Sequence, residues 1–239
     1  MPFARRLLLI SNSTLHGGGY LDHAEARIRA ILGAIPRVLF VPHALHDRDE
    51  YAARARARLG AMGYAVDSMN DAADPAAALM RATALFIGGG NTFRLLDCLH
   101  RMGLVDGIRR RVFEGLPFIG SSAGAIVAGP SLKTTKDMPI VQPPGFDALA
   151  LVPFQISPHY LDPDPASTHM GETQEERILQ FHEENDARVV GLREGSMLCI
   201  EDSGGGTVVL EGRTAARIFE KGRPPVEAPP GSRLDYLLA

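Results

Sequence analysis

The chain has 239 residues, 45% of them hydrophobic and 22% charged, a balance that suits a globular protein with a substantial core. Its formal net charge of −3 gives no electrostatic reason to expect nucleic acid or an anionic membrane surface as partner. No apolar run approaches bilayer-spanning length, and the opening before residues 7–10 is too brief for a secretory signal, so a cytoplasmic chain is expected.

Arg6-Leu-Leu-Leu-Ile-Ser11 is a continuous apolar run, the pattern of a strand covered on both faces. The polar, glycine-rich residues 12–20 form a loop at its carboxyl end, a helix over 21–32 stops at Gly33, and 37–41 is a second strand. An alanine- and arginine-rich helix over 47–62, a weaker strand over 64–69, a helix over 76–82 and a strand over 84–87 follow. Gly88-Gly-Gly-Asn-Thr92 then leads into one helix through Leu99 and a second over 105–114.

Strands alternating with helices of this length imply crossover units and an open, mostly parallel sheet with helices on both faces. Ligands in such sheets bind outside the carboxyl ends of the strands, which is where Gly88-Gly-Gly and Ser122 fall. Residues 131–150 read as an irregular excursion, 151–156 as a return to the sheet, 172–183 as a helix and 189–192 as a strand. Short alternating segments from Ser196 onward suggest a few antiparallel strands near the C-terminus, and the Pro- and Gly-rich residues 225–239 suggest a loosely held tail. No internal repeat or linker divides residues 1–239, so a single α/β domain is expected.

Phe118-Ile-Gly-Ser-Ser-Ala-Gly124 matches Gly-x-Ser-x-Gly, in which a serine sits on a sharp strand-to-helix turn with its hydroxyl exposed. A serine is a poor nucleophile without a base, and a base needs a group to orient it. Of the eight histidines, His159 is best placed, directly after a strand at Pro158. His43 and His46 lack a third ligand nearby, and His182-Glu-Glu184 is not the zinc-peptidase motif. Glu194, just past the 189–192 strand, and Asp137, inside the excursion, are both candidates for the orienting acid. Oxyanion donors are expected from the backbone N–H groups of Ala123, Gly89 and Gly90, with Asn91 and Thr92 beside them as substrate contacts. Gly88-Gly-Gly-Asn-Thr92 lacks the Lys-Ser/Thr of a P-loop and the spacing of a dinucleotide fingerprint. Cys98 and Cys199 sit among apolar neighbours and read as buried thiols, not as a metal site.

Gly88-Gly-Gly-Asn-Thr-Phe93, Gly120-Ser-Ser-Ala-Gly-Ala125, Thr134-Thr-Lys-Asp-Met-Pro-Ile-Val141, Gly145-Phe-Asp-Ala-Leu149, Gln155-Ile-Ser-Pro-His159, Gly171-Glu-Thr173 and Gly191-Leu-Arg-Glu-Gly195 resemble, in this order, peptidase E, the α-aspartyl dipeptidases related to cyanophycinase. The opening Leu9-Ile-Ser-Asn-Ser-Thr-Leu15 is similar to the same family. The resemblance implies a class I glutamine amidotransferase-like fold, hydrolysis of Asp-X dipeptides, no cofactor and no metal. It carries Ser122 over as nucleophile, His159 as base and Glu194 as orienting acid, and Asp137 matches a family aspartate proposed as functional. Small peptides are then the partners, with neither nucleic acid nor membrane, for a monomer or homodimer.

Two positions depart from the family pattern. Ser121 stands where tryptophan is common, which opens space beside the turn, and Gln174 stands where the family has an arginine suited to a substrate aspartate. Arg177, on the same helix face, is a candidate replacement for that arginine, as are Lys133, Lys136 and His169. Without a replacement, specificity is expected to move away from N-terminal Asp on the same peptidase scaffold; a non-catalytic binding relative is the remaining reading.

Overall fold

The computed structural model describes residues 5–168, 170–202 and 205–239. In chain order come β1 (Arg5–Ile10), α1 (Glu25–Leu32), β2 (Arg37–Val41), α2 (Arg48–Ala61), β3 (Ala65–Ser68), α3 (Pro75–Arg81) and β4 (Leu85–Ile87). These are followed by α4 (Thr92–Arg101), α5 (Val105–Phe113), β5 (Phe118–Ser121), α6 (Ala123–Ile126), β6 (Gln155–Pro158), α7 (Gln174–Glu184) and β7 (Val189–Leu192). Four strands complete the fold: β8 (Ser196–Asp202), β9 (Thr207–Gly212), β10 (Ala216–Phe219) and β11 (Val226–Ala228). Side-chain caps set several helix starts, with Asp47 on α2, Asp74 ahead of Pro75 on α3, Asn91 on α4, and Thr173 in a capping box with Glu176 on α7.

The main sheet has the strand order β3-β2-β4-β5-β1-β8-β9. Its first five strands are parallel, and β8 and β9 continue it antiparallel. Alternate residues divide between two cores: Leu7, Leu9, Leu39, Val41 and Ile87 face α4 and α5, while Leu8, Ile10, Val38, Phe40 and Phe86 face α1 and α2. The expected open, mostly parallel sheet with both faces covered is therefore present.

Residues 151–156 do not return to that sheet. β6 pairs in parallel with β7, and β10 and β11 add antiparallel strands, making a separate four-stranded sheet in the order β11-β10-β7-β6. The physical reason is that β8 already occupies the free edge of β1, along six residues from Arg5 to Ile10. Residues 225–239 are also not loose. They supply β11, and Leu234 and Leu237 are buried in the core with Ala228. Burying each leucine contributes about 1.5–3 kcal/mol, enough to hold a segment whose Pro and Gly content reads as tail.

Candidate active site

β5 ends at Ser121, and Ser122 turns the chain into α6 with φ 51° and ψ −110°. A non-glycine residue at positive φ costs of order 1–3 kcal/mol and persists only where its surroundings hold it. The surroundings here are tight: a Cβ at Gly124 would stand 2.1 Å from the Ile87 carbonyl oxygen, so α6 can approach β4 this closely only with glycine. The turn puts the Ser122 hydroxyl at the carboxyl edge of the main sheet.

The other two groups come from the small sheet. His159 follows β6 at φ 52°, and Glu194 lies two residues past β7. His159 Nε2 is 2.9 Å from Ser122 Oγ, and His159 Nδ1 is 2.8 Å from Glu194 Oε1. In such a chain the imidazole can take the hydroxyl proton while the carboxylate holds the tautomer that allows it. Asp137 makes no hydrogen bond or ion pair with the ring; its Oδ2 accepts hydrogen bonds from Thr92 N, Thr92 Oγ1 and Thr135 Oγ1.

Three consecutive residues at the end of β1 hold the three segments together. Ser122 N–H donates to the Ile10 carbonyl at 2.9 Å. His159 N–H donates to Ser11 Oγ at 2.9 Å, and the Ser11 hydroxyl donates in turn to the Leu192 carbonyl at 2.9 Å. Gly195 N–H, next to Glu194, donates to Asn12 Oδ1 at 2.8 Å. Ser11 and Asn12 are buried polar residues, the last of the run that reads from sequence as a strand and the first of the loop that follows it.

Ser122 and His159 open onto a cavity of about 380 Å³ whose walls include Tyr51, Arg54, Gly90 and Asp137. Of the expected oxyanion donors, Gly89 N–H is already given to the Tyr51 hydroxyl at 2.8 Å. Gly90 N–H and Ala123 N–H have no protein acceptor among the described residues and remain free for an oxyanion. Gly90 has φ 132°, and a Cβ there would meet the Ala44 carbonyl at 2.6 Å. Asn91 and Thr92 are not substrate contacts in this arrangement. Asn91 caps α4 through Arg94 N and donates to the Met138 carbonyl, and buried Thr92 gives both donors to Asp137.

The family model for peptidase family S51 matches residues 7–208. The chain belongs to peptidase family S51. It is 54% identical to "Peptidase E" of Streptomyces coelicolor over 232 residues, covering 97% of this chain and 94% of the relative. A Drosophila melanogaster protein named "Probable alpha-aspartyl dipeptidase" is 45% identical over 241 residues, covering 100% of this chain and 99% of the relative. The crystal structure of a peptidase from an acI-B1 Actinobacterium has the same fold, with a TM-score of 0.73 at 18% identity over 98% of this chain and 97% of that one.

Within the S51 framework, Gln174 and Arg177 do not reach the cavity. Gln174 Nε2 donates to the His159 carbonyl at 3.2 Å, and its Oε1 accepts from Lys136 Nζ at 3.1 Å and Leu161 N at 3.0 Å. Its amide is spent on shaping the His159 turn. Arg177 is more than half exposed and faces Glu172 at 3.7 Å, and Lys133 donates to Asn185 at 2.8 Å. His169 lies outside the described residues. Ser121 is fully buried and lines no part of the cavity, so its small size leaves no room beside the nucleophile. The residues of the candidate site that sequence reasoning passes over are Ser11, Asn12, Tyr51 and Arg54.

Lys136 braces the His159 turn, donating to Pro158 O at 2.7 Å, His159 O at 3.0 Å and Gln174 Oε1. Burial lowers its pKa to about 8 against the ordinary 10.5, with nearby Asp137 opposing the shift. Between those values the folded chain binds fewer protons at Lys136 than the unfolded chain, so this residue makes stability rise with pH across that window. Urea unfolding at pH 8, 9 and 10 should show wild type gaining on Lys136→Met as pH increases. A constant difference between the two would mean that the lysine binds its proton with ordinary affinity in the fold.

Proposed function

We propose that this chain is a serine peptidase that hydrolyses short peptides, releasing N-terminal aspartate from Asp-X dipeptides. The observation that supports it most is the Ser122–His159–Glu194 hydrogen-bond chain, 2.9 and 2.8 Å, standing beside two free backbone donors. Ser122 Oγ attacks the scissile carbonyl while His159 Nε2 takes its proton. The tetrahedral oxyanion sits between the N–H groups of Gly90 and Ala123. His159 then protonates the leaving amine, and a water attacks the acyl-enzyme with the same histidine as base. Glu194 holds the Nδ1–H and stabilises the imidazolium. Asp137 supplies negative charge in the cavity for the free α-ammonium of the substrate. The names of the relatives, peptidase E and alpha-aspartyl dipeptidase, support the Asp-X preference.

The reading is tested by incubating the purified chain with Asp-Leu, Ala-Leu and an Asp-initiated tetrapeptide and following free amino acids by chromatography. Asp-Leu should be cleaved fastest, and a fluorophosphonate should abolish the reaction by labelling Ser122. Intact Asp-Leu after prolonged incubation with fluorophosphonate-reactive enzyme would refute the substrate assignment while leaving the serine chemistry in place.

A further inference from the structure

An enzyme that selects N-terminal aspartate needs a cation for the side-chain carboxylate, and the position where the resemblance supplies one holds Gln174, turned onto the His159 carbonyl. The cavity itself offers a different cation. Among the described residues, Arg54 is the only lysine or arginine that lines it together with Ser122. Arg58 and Arg193, by contrast, are spent in ion pairs, Arg58 with Asp22 and Glu25 and Arg193 with Asp162 and Glu227. Arg54 makes neither an ion pair nor a hydrogen bond among the described residues. Two tyrosines hold its guanidinium instead, with its central carbon 4.8 Å from the Tyr51 ring centre and 5.0 Å from that of Tyr20. Contacts with two rings restrain the guanidinium, and its N–H groups, which have no acceptor among the described residues, are open to a carboxylate.

The side of the cavity also fits. Tyr51 carries Arg54 on one face and accepts the Gly89 N–H through its hydroxyl, so the arginine belongs to the wall made by residues 88–90. His159 enters from the small sheet and must face the leaving amine it protonates. The acyl residue, which bears the aspartate side chain, therefore lies toward the Arg54 wall.

We infer that Arg54 is the residue that selects an acidic side chain at the substrate's N-terminal position, taking the role that Gln174 cannot fill. This rests on the Asp-X reading above. The test compares kcat/KM for Asp-Leu and Asn-Leu in wild type, Arg54→Gln and Arg54→Lys. Because both peptides are measured on one preparation, the ratio is indifferent to the fraction of folded enzyme. Wild type should favour Asp-Leu, Arg54→Gln should lower the Asp/Asn ratio at least tenfold, and Arg54→Lys should restore part of it. If wild type favours Asp-Leu and Arg54→Gln keeps the ratio, the inference is overturned and the Asp-X reading stands. That outcome also covers the case in which Arg54 binds the C-terminal carboxylate, since both peptides carry it. If wild type cleaves neither peptide, or shows no preference for Asp-Leu over Asn-Leu, the reading and the inference fall together.

Discussion

Replacing Ser122 by alanine should lower kcat/KM for Asp-Leu by about 10⁴- to 10⁶-fold, the range expected when the nucleophile of a serine–histidine pair is removed. Stability should stay within about 1 kcal/mol of wild type. Alanine keeps the Cβ, so the strain at φ 51° and the contacts of the turn are unchanged, and only the hydroxyl facing His159 is lost. The ring it leaves is 41% exposed and can be solvated in its place. Adding His159→Ala to Ser122→Ala should cost little more, because the two groups act as one unit. The measurements are steady-state kinetics with active-site titration, and a thermal melt as control for the fold. Retention of more than about one per cent of activity by Ser122→Ala would exclude it as nucleophile.

The second large effect concerns which carboxylate orients the histidine. Glu194→Gln should reduce kcat by about 10² to 10⁴, because an amide can present a donor to Nδ1 and stabilise the wrong tautomer. The lower half of that range is expected, since Glu194 is 50% exposed and water can share its task. Asp137→Asn should act differently. It weakens the acceptor for Thr92 N, Thr92 Oγ1 and Thr135 Oγ1 and removes charge from the cavity, so KM should rise while kcat falls less than about tenfold. The opposite split, with kcat lost in Asp137→Asn and retained in Glu194→Gln, would move the orienting role to Asp137.

Much of this fold is legible because the signals are local. Leu7-Leu-Leu-Ile10 reads as a strand covered on both faces, and its residues do divide between two cores. Gly33 ends α1 with φ 54°, and Asp47 caps α2 through Glu50 N, both readable from residue type and position. The small sheet is not legible, because the pattern of 155–158 says that it is a strand and nothing about its partner. Ser122, His159 and Glu194 are legible as candidates since each follows a strand at its carboxyl end.

The bonding of Asn91, Thr92 and Gln174 is not legible in the sequence, for a common reason. A polar residue near a site is as ready to bond a neighbouring backbone group as a ligand, and which it does depends on tertiary neighbours that residue type and spacing do not specify. Composition hides Arg54: with Arg56 and Arg58 beside it, it reads as one more solvated charge on an arginine-rich helix.

The bonds from Ile10, Ser11 and Asn12 give the site a common datum, in the sense a machinist uses the word. A nucleophile on one sheet and its partners on another would accumulate positional error through every element between them. Here each is referenced to an adjacent residue of one strand end, so a displacement of β1 carries all three along and leaves their spacings unchanged. Substitutions elsewhere in the two cores can therefore accumulate with little consequence for alignment, whereas the tolerance at Ser11 and Asn12 is narrow.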